Sequence, residues 1–375
     1  MTTPKKRLRV GILFGGKSAE HEVSIVSAGN VLKAIDRTKF DPVLIGIDKS
    51  GRWHSFSVEL LGSGPSENQI TEISDSSTNL VTMLPGNNTG ELRKWHKDTS
   101  IQEEIDVIFP ILHGPMGEDG TIQGFLELAN VPYIGPGVLG SAICMDKDVM
   151  KRLLMQAGIA VAQGITITPQ DDINVIQKSS IDKLGLPLFV KPARMGSSIG
   201  VSRVDTASDF KNAVQNAFQY DTKVLLERMV VGDEIECAVL GHTNSPRVSE
   251  IGRVIPQKDS FYSYEAKYIT DEAILEIPAK ISKKLSQRAK DVAKATYKTL
   301  ECEGMSRVDM FIDSSERIIV NEVNTIPGFT NISMYPKLWD ISGLEYRDLI
   351  TELINEAVLR FHQKSRLKTN YDGHI

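Results

Sequence analysis

The sequence predicts a mixed α/β and α+β chain of more than one domain that begins in a parallel sheet. Three observations carry this. Arg9 to Phe14 is a short apolar run closed by Gly15-Gly16 and followed by a helical pattern, the opening of a βαβ unit. After Gly137 short strands pair through turns instead of through crossover helices. The 375 residues also exceed what one core usually holds, since domains centre on roughly 150 residues.

In chain order, Ser18 precedes a helix read through Val23, Val26, Val31 and Ile35, and Asp41 to Ile47 is a strand closed by the turn at 48–51. Residues 52–100 are polar and carry no functional signal. Asp106 to Leu112 reads as a buried strand, His113 to Gly120 as a glycine-rich loop and Thr121 to Asn130 as a helix. A helix from Asp146 to Ala157 ends at Gly158. Leu186 to Lys191, Pro192 to Ser198 and Ile199 to Val204 form strand, loop and strand, and Ser306 to Asp313 pairs with Arg317 to Asn324. Between these, Pro256 to Asp271 has no clean period and holds Phe261, Tyr262, Tyr264 and Tyr268, which suits a lid or binding loop.

Hydrophobic residues make up 41% of the chain, the apolar share of an ordinary folded soluble protein. A net charge of -5 leaves no bulk positive field for a nucleic-acid backbone or an anionic membrane, so neither partner is expected and an anionic ligand needs a local site. The cysteines, Cys144, Cys237 and Cys302, lie far apart with no C-x-x-C, which points away from disulfides and zinc and towards a reducing, cytoplasmic compartment. The basic start precedes too short an apolar run for a signal peptide, and no stretch approaches the ~18 apolar residues of a membrane span.

The C-terminal strand pair carries the clearest chemistry. On Arg307-Val-Asp309-Met-Phe311 the odd positions share a face, and on Ile318 to Asn324 the even ones do. A loop of Ser315 and Glu316 sets Asp309 opposite Glu322 and Arg307 opposite Asn324. Opposed carboxylates repel unless a positive charge lies between them, and such oxygen donors suit Mg²⁺. A solvated sheet face bearing ordinary charges has the same pattern.

No G-x-x-x-x-G-K-[ST] is present, and Gly11, Gly15 and Gly16 do not make G-x-G-x-x-G. The stretch Lys191-Pro-Ala-Arg-Met-Gly196-Ser197-Ser198 instead offers a lysine at a strand end and a small-residue loop, the composition of an anion-binding nest or of a plain turn. Lys147 and Lys267 are further cations. Glu20 and Glu22 at a helix N-terminus are accounted for by the helix dipole, and His113 lies where open α/β sheets place ligands.

The order of these motifs is more specific than any one of them. Gly15-Gly-Lys-Ser-Ala-Glu20-His-Glu-Val-Ser24, the run His113 to Gly124, Met145-Asp-Lys147, Val190 to Ser198, Tyr264 to Tyr268, Arg307-Val-Asp309 and Asn321 to Thr330 together resemble the D-alanine-D-alanine ligases of the ATP-grasp superfamily. The resemblance implies a three-domain ATP-grasp architecture: an N-terminal parallel-sheet domain over 1–139, a central flap domain over 140–232, and a C-terminal domain over 233–375 with the metal site and lid.

It further implies ATP-dependent joining of two D-alanine molecules through a D-alanyl phosphate, for peptidoglycan precursor synthesis, by a cytoplasmic homodimer. ATP would meet Lys147 and Lys191 at its phosphates, the flap at Gly196 and Ser198, Glu227 and the Met229-Val230-Val231 backbone at adenine, and Glu234 at the ribose. Phe261 and Asn321 join this set, and Lys267 would reach the γ-phosphate. Asp309, Glu322 and Asn324 would hold two Mg²⁺ ions, with Mn²⁺ as a substitute. Glu20 and His113 would orient the first D-alanine, and Ser333 and Met334 would lie at the second. Arg307 and the Gly328 N-H would form an oxyanion hole, while Glu20, Ser197 and Tyr268 would tie lid, flap and first domain together. The rival within the family joins D-alanine to D-lactate or D-serine, and Tyr268 speaks for a dipeptide over the depsipeptide product. A nicotinamide-dependent oxidoreductase lacks its glycine spacing here, and a catalytically silent nucleotide-binding module would not need Asp309, Glu322, Asn324 and Arg307 together.

Overall fold

A computed structural model describes residues 6–58, 73, 79–86, 90–94, 101–256, 273–330 and 332–368. Phe261, Lys267 and Tyr268 lie outside the described residues.

The first sheet has the order β3-β2-β1-β7, from Trp53–Phe56 (β3), Phe40–Ile47 (β2), Leu8–Gly15 (β1) and Val107–Ile111 (β7). β1 runs parallel to both β2 and β7, and β3 is antiparallel at the edge. The chain leaves β1 towards opposite sides, so the crevice beyond the carboxyl ends of β1 and β7 is a topological switch point. Residues 52–100, featureless in sequence, supply β3 and most of a small sheet of Val81–Met83 (β4), Glu91–Lys94 (β5) and Ile101–Glu104 (β6).

Helix α1, His21–Ala34, packs on this sheet through Ser24, Ile25, Ala28, Val31 and Leu32. Val26, which the sequence placed on the apolar stripe, is 55% exposed. The buried stripe runs through His21, Ser24, Ile25, Ala28, Val31 and Leu32 at helical spacing and includes polar residues, so Val26 falls beside it. Helix α2, Thr121–Leu128, covers the opposite face through Ile122 and Leu126.

Helix α3, Val138–Met145, was not expected. Helix α4, Lys147–Gln156, follows directly, its N-terminus capped by the Asp146 carboxylate accepting from Val149 N at 3.1 Å. The second sheet, β10-β9-β11-β8, is antiparallel and contains Gly164–Ile167 (β8), Leu188–Pro192 (β9), Ser202–Val204 (β10) and Val224–Arg228 (β11). β9 and β10 form the expected hairpin, but β10 starts at Ser202, not Ile199, because 196–201 turn back on themselves.

The third sheet, β14-β13-β12-β15-β16, is antiparallel: Gly232–Gly241 (β12), Arg247–Pro256 (β13), Ala273–Glu276 (β14), Gly304–Asp313 (β15) and Ile318–Asn324 (β16). Helix α5, Lys283–Thr299, packs on one face of it through Leu285, Ala289, Ala293 and Tyr297. The other face meets helix α6, Met334–Ile341. Helix α7, Tyr346–Lys364, reaches back to α1 and β7, so Leu349, Ile350 and Leu353 share one core with Val10, Ile12 and Phe14. The first sheet is therefore covered on one side by the end of the chain.

The β15–β16 hairpin corrects the sequence in an informative way. Asp313 N donates to Arg317 O, so the loop is Ser314, Ser315 and Glu316, with Glu316 at φ +56. A bulge at Asn321 then restores the register, pairing Met310 with Val320 but Asp309 with Glu322 and Arg307 with Asn324. The expected pairs are present, reached through one extra loop residue and one extra strand residue. The even positions of β16 do not share a face: Ile318 and Val320 enter the α5 core with Val323, while Glu322 and Asn324 line a cavity on the opposite side.

Candidate active site

The carboxyl end of β1 turns at Gly15 and Gly16, with φ +88 and +99. A side chain at Gly15 would place its Cβ 2.3 Å from Ile47 O, so this turn requires glycine. It sets Glu20, buried at the start of α1, towards the tip of the β9–β10 hairpin, where the Ser197 hydroxyl donates to Glu20 Oε1. Ser197 and Ser198 both have positive φ, 52 and 59, a strained tip for residues with side chains.

After β7, His113 is buried, its Nδ1 donating to Ile326 O at 3.1 Å and its Nε2 3.4 Å from Ser27 Oγ. Burial pushes the imidazole pKa down, against the pull of the Glu20 charge. Glu118 ends the same loop, accepting from Gly114 N at 2.7 Å and Ile326 N at 3.1 Å. Burial and the neighbouring Glu20 raise its carboxyl to about 8. Phe329 N lies 3.4 Å from Ser27 Oγ. The first sheet thus grips residues 326–329 and fixes Gly328 between them.

These groups meet β15 and β16 around a cavity of about 110 Å³. Its walls include Glu20, His113, Gly196, Ser197, Arg307, Glu322, Asn324, Gly328, Ser333 and Met334, from segments spread over the chain. Arg307 holds Asp309 through two bonds of 2.7 Å and Glu236 at 2.8 Å. Asn324 Nδ2 donates to Asp309 Oδ2 at 2.9 Å. Glu234, Glu236, Asp309 and Glu322 lie on one sheet face by register. Ser333 Oγ accepts from Thr330 N at 2.9 Å and approaches Gly328 so closely that a Cβ there would lie 2.7 Å away.

The lysines form an adjoining cluster. Lys147 Nζ donates to Met195 O at 2.8 Å and lies 3.3 Å from Glu322 Oε2, linking the cluster to the cavity. Glu227 sits between Lys151 and Lys191, one carboxylate oxygen paired to each. Burial alone would raise the Glu227 carboxyl, but the two ammonium groups outweigh it and hold it at about 2. Met229 and Val230 follow half-buried, Val231 is 74% exposed, and Glu234 and Asn321 are half-buried.

Asp309, Glu322 and Asn324 fit a hard cation by their chemistry, two carboxylates and an amide oxygen on adjacent strands. Among the described residues no three or more His, Cys, Asp or Glu side chains are grouped to hold a metal ion by themselves. Three residues of the site escaped the sequence reading. Lys151 lies four residues after Lys147 on α4, the helical spacing that should have flagged it. Glu236 follows Glu234 by two on a strand, the spacing of one face. Glu118 belongs to the motif containing His113, but only the fold shows its contact with Ile326.

A family model described as D-ala D-ala ligase N-terminus matches residues 9–136, and one described as D-ala D-ala ligase C-terminus matches residues 153–355. A D-alanine–D-alanine ligase of Shouchella clausii is 49% identical over 363 residues, covering 96% of this chain and 98% of its own. Among solved structures, the D-alanine-D-alanine ligase of Coxiella burnetii is similar with a TM-score of 0.84 at 35% identity, covering 96% of this chain and 97% of its own. A D-Ala:D-Ser ligase of Enterococcus faecalis is similar with a TM-score of 0.81 at 35% identity, covering 94% of this chain and all of its own.

Proposed function

Because the chain belongs to the D-alanine–D-alanine ligase family, we propose that the cavity at Glu20, His113 and Gly328 receives D-alanine and that the adjoining lysine cluster receives ATP. The protein is an ATP-dependent ligase of the ATP-grasp fold that joins two D-alanine molecules into D-alanyl-D-alanine for peptidoglycan synthesis. The observation that carries the site assignment is the cavity itself: it is small, and one wall, Glu322, touches a phosphate-seeking lysine, Lys147.

In this reading the carboxylate of the first D-alanine attacks the γ-phosphate, ADP leaves, and a D-alanyl phosphate forms. The amine of the second D-alanine then attacks the acyl carbon and phosphate departs. A carboxylate is a poor acyl donor, and phosphorylation supplies its leaving group. Lys147 and Lys191 neutralise phosphate charge, with Lys267 joining them at the γ-phosphate, and Glu227, Met229, Val230, Val231, Glu234, Phe261 and Asn321 surround the nucleoside. Asp309, Glu322 and Asn324 would hold two Mg²⁺ ions, or Mn²⁺ in their place, which when bound supply positive charge against the transferring phosphoryl group.

Glu20 and His113 orient the first D-alanine, Arg307 and the Gly328 N-H receive the oxyanion, and Ser333 and Met334 lie at the second substrate. Water would hydrolyse the acyl phosphate, so the flap must shut first. The Ser197 to Glu20 hydrogen bond supports such a closure, with Tyr268 as its third member. The three domains meet near residues 139 and 232, and the working form is a cytoplasmic homodimer. Among the described residues no helix is long and apolar enough to cross a membrane.

The test is ADP release with D-alanine, D-serine, D-lactate and L-alanine, singly and in pairs. D-alanine alone supports full turnover. A clear preference for D-lactate or D-serine as the second substrate at neutral pH would overturn the placement of D-alanine in both subsites.

A further inference from the structure

Four charged side chains between α4 and the second sheet are paired in a way that separates them into two kinds. Lys147 and Lys191 keep part of their side chains open, 11% and 14%. Lys151 and Glu227 are sealed, at 5% and 3%. Both open lysines are held by acids of the same site, Lys147 by Glu322 and Lys191 by Glu227. An arriving triphosphate competes for the open pair with several negative charges, and each lysine that turns to it leaves an acid behind. Glu322 has an exposed edge of 23% and can be rehydrated. Glu227 has none, and a buried carboxylate stripped of its partners is costly.

We propose that Lys151 is a positioning residue, the fixed counter-charge that stays with Glu227 when phosphate draws Lys191 away, and so keeps that carboxylate an acceptor for the exocyclic amino group of adenine. The proposal rests on the nucleotide placement given above. Lys151 cannot itself follow Lys191: its ammonium is enclosed, and its carbon stem is held in a helix whose first turn is fixed by the Asp146 cap and by Lys147 N donating to Ala193 O at 3.0 Å. Burial and the nearby lysines bring its pKa down to about 8 against the pull of Glu227, so it still carries its charge at neutral pH.

The test compares ATP with purine riboside triphosphate, which lacks the amino group, in the full-length enzyme. Glu227→Gln is the control for the nucleotide placement. It narrows the preference for ATP, and an unchanged preference overturns that placement and the proposal with it. With the placement standing, Lys151→Met raises KM for ATP about tenfold with kcat within about twofold, and leaves KM for the analogue nearly unchanged. Lys151→Arg keeps the charge and restores most of the preference. An equal rise of KM for both nucleotides, or no rise in a folded variant, overturns the role of Lys151. Should Lys151→Met fail to fold, the substitution is made in the Glu227→Gln background, where no bare charge remains. There it adds less than about twofold to KM for ATP, and a further independent rise overturns the proposal.

Discussion

Asp309 and Glu322 lie directly opposite each other on β15 and β16, one step beyond the bulge at Asn321. Two acids in that position repel, and the protein answers with cations: Arg307 holds Asp309, and Lys147 lies beside Glu322. The arrangement stores paired oxygen donors on a sheet face whose reverse side packs Ile235, Cys237, Val308 and Met310 against α5.

Glu322→Gln keeps the shape of the side chain and removes its charge. Turnover falls by more than about a hundredfold, since the proposed metal site loses a carboxylate. The side chain is 23% exposed and packs in no core, so the thermal unfolding midpoint stays within a few degrees of wild type. Near-normal turnover in this variant would remove Glu322 from the metal site.

Glu118 makes stability depend on pH. Its carboxyl rises from 4.5 to about 8 on folding, so the folded chain binds more protons than the unfolded one between those values. Its contribution is full below pH 4.5 and is lost as pH rises through about 8. Glu118→Gln does not titrate. Urea midpoints measured from pH 5 to 8 fall in the wild type, and the part due to this group disappears in the variant. Parallel profiles for the two proteins would contradict the shift.

Ser197→Ala removes the hydroxyl that donates to Glu20 from the hairpin tip. A hydrogen bond to a carboxylate contributes about 1.5–3 kcal/mol, so kcat/KM for D-alanine drops about tenfold or more. Amide exchange in residues 195–201 accelerates in the same variant. Unchanged exchange there, with normal activity, would show that this contact does not latch the flap.

Gly15→Ala tests the turn that delivers Glu20. The new Cβ would sit 2.3 Å from Ile47 O at a φ of +88. Strain and overlap together destabilise the fold by more than about 2 kcal/mol, seen as a lowered denaturant midpoint. A midpoint equal to wild type would mean that the β1 turn can open without cost.

The sequence alone determined most of what is local. Alternation and glycine breaks located β1, β2, β7 and β9, and the order of motifs from Glu20 to Asn324 carried the resemblance to the ligase family, which implied candidate residues for its site. Strand period also put Asp309 opposite Glu322 and Arg307 opposite Asn324, although through a shorter loop and no bulge; two departures of one residue cancelled. Tertiary structure decided the rest, for reasons of distance and burial. Val26 faces solvent because the buried stripe of α1 takes in the polar His21 and Ser24, which hydrophobicity alone does not mark as core. That β16 changes faces at Asn321 depends on pairing with β15, since a bulge leaves no mark on one strand's own alternation. Helical spacing from Lys147 marks the face Lys151 lies on, but its pairing with Glu227, like that of Glu118 with Ile326, arises only in the fold, because a charge is ordinary in solvent and acquires a role when the fold buries it.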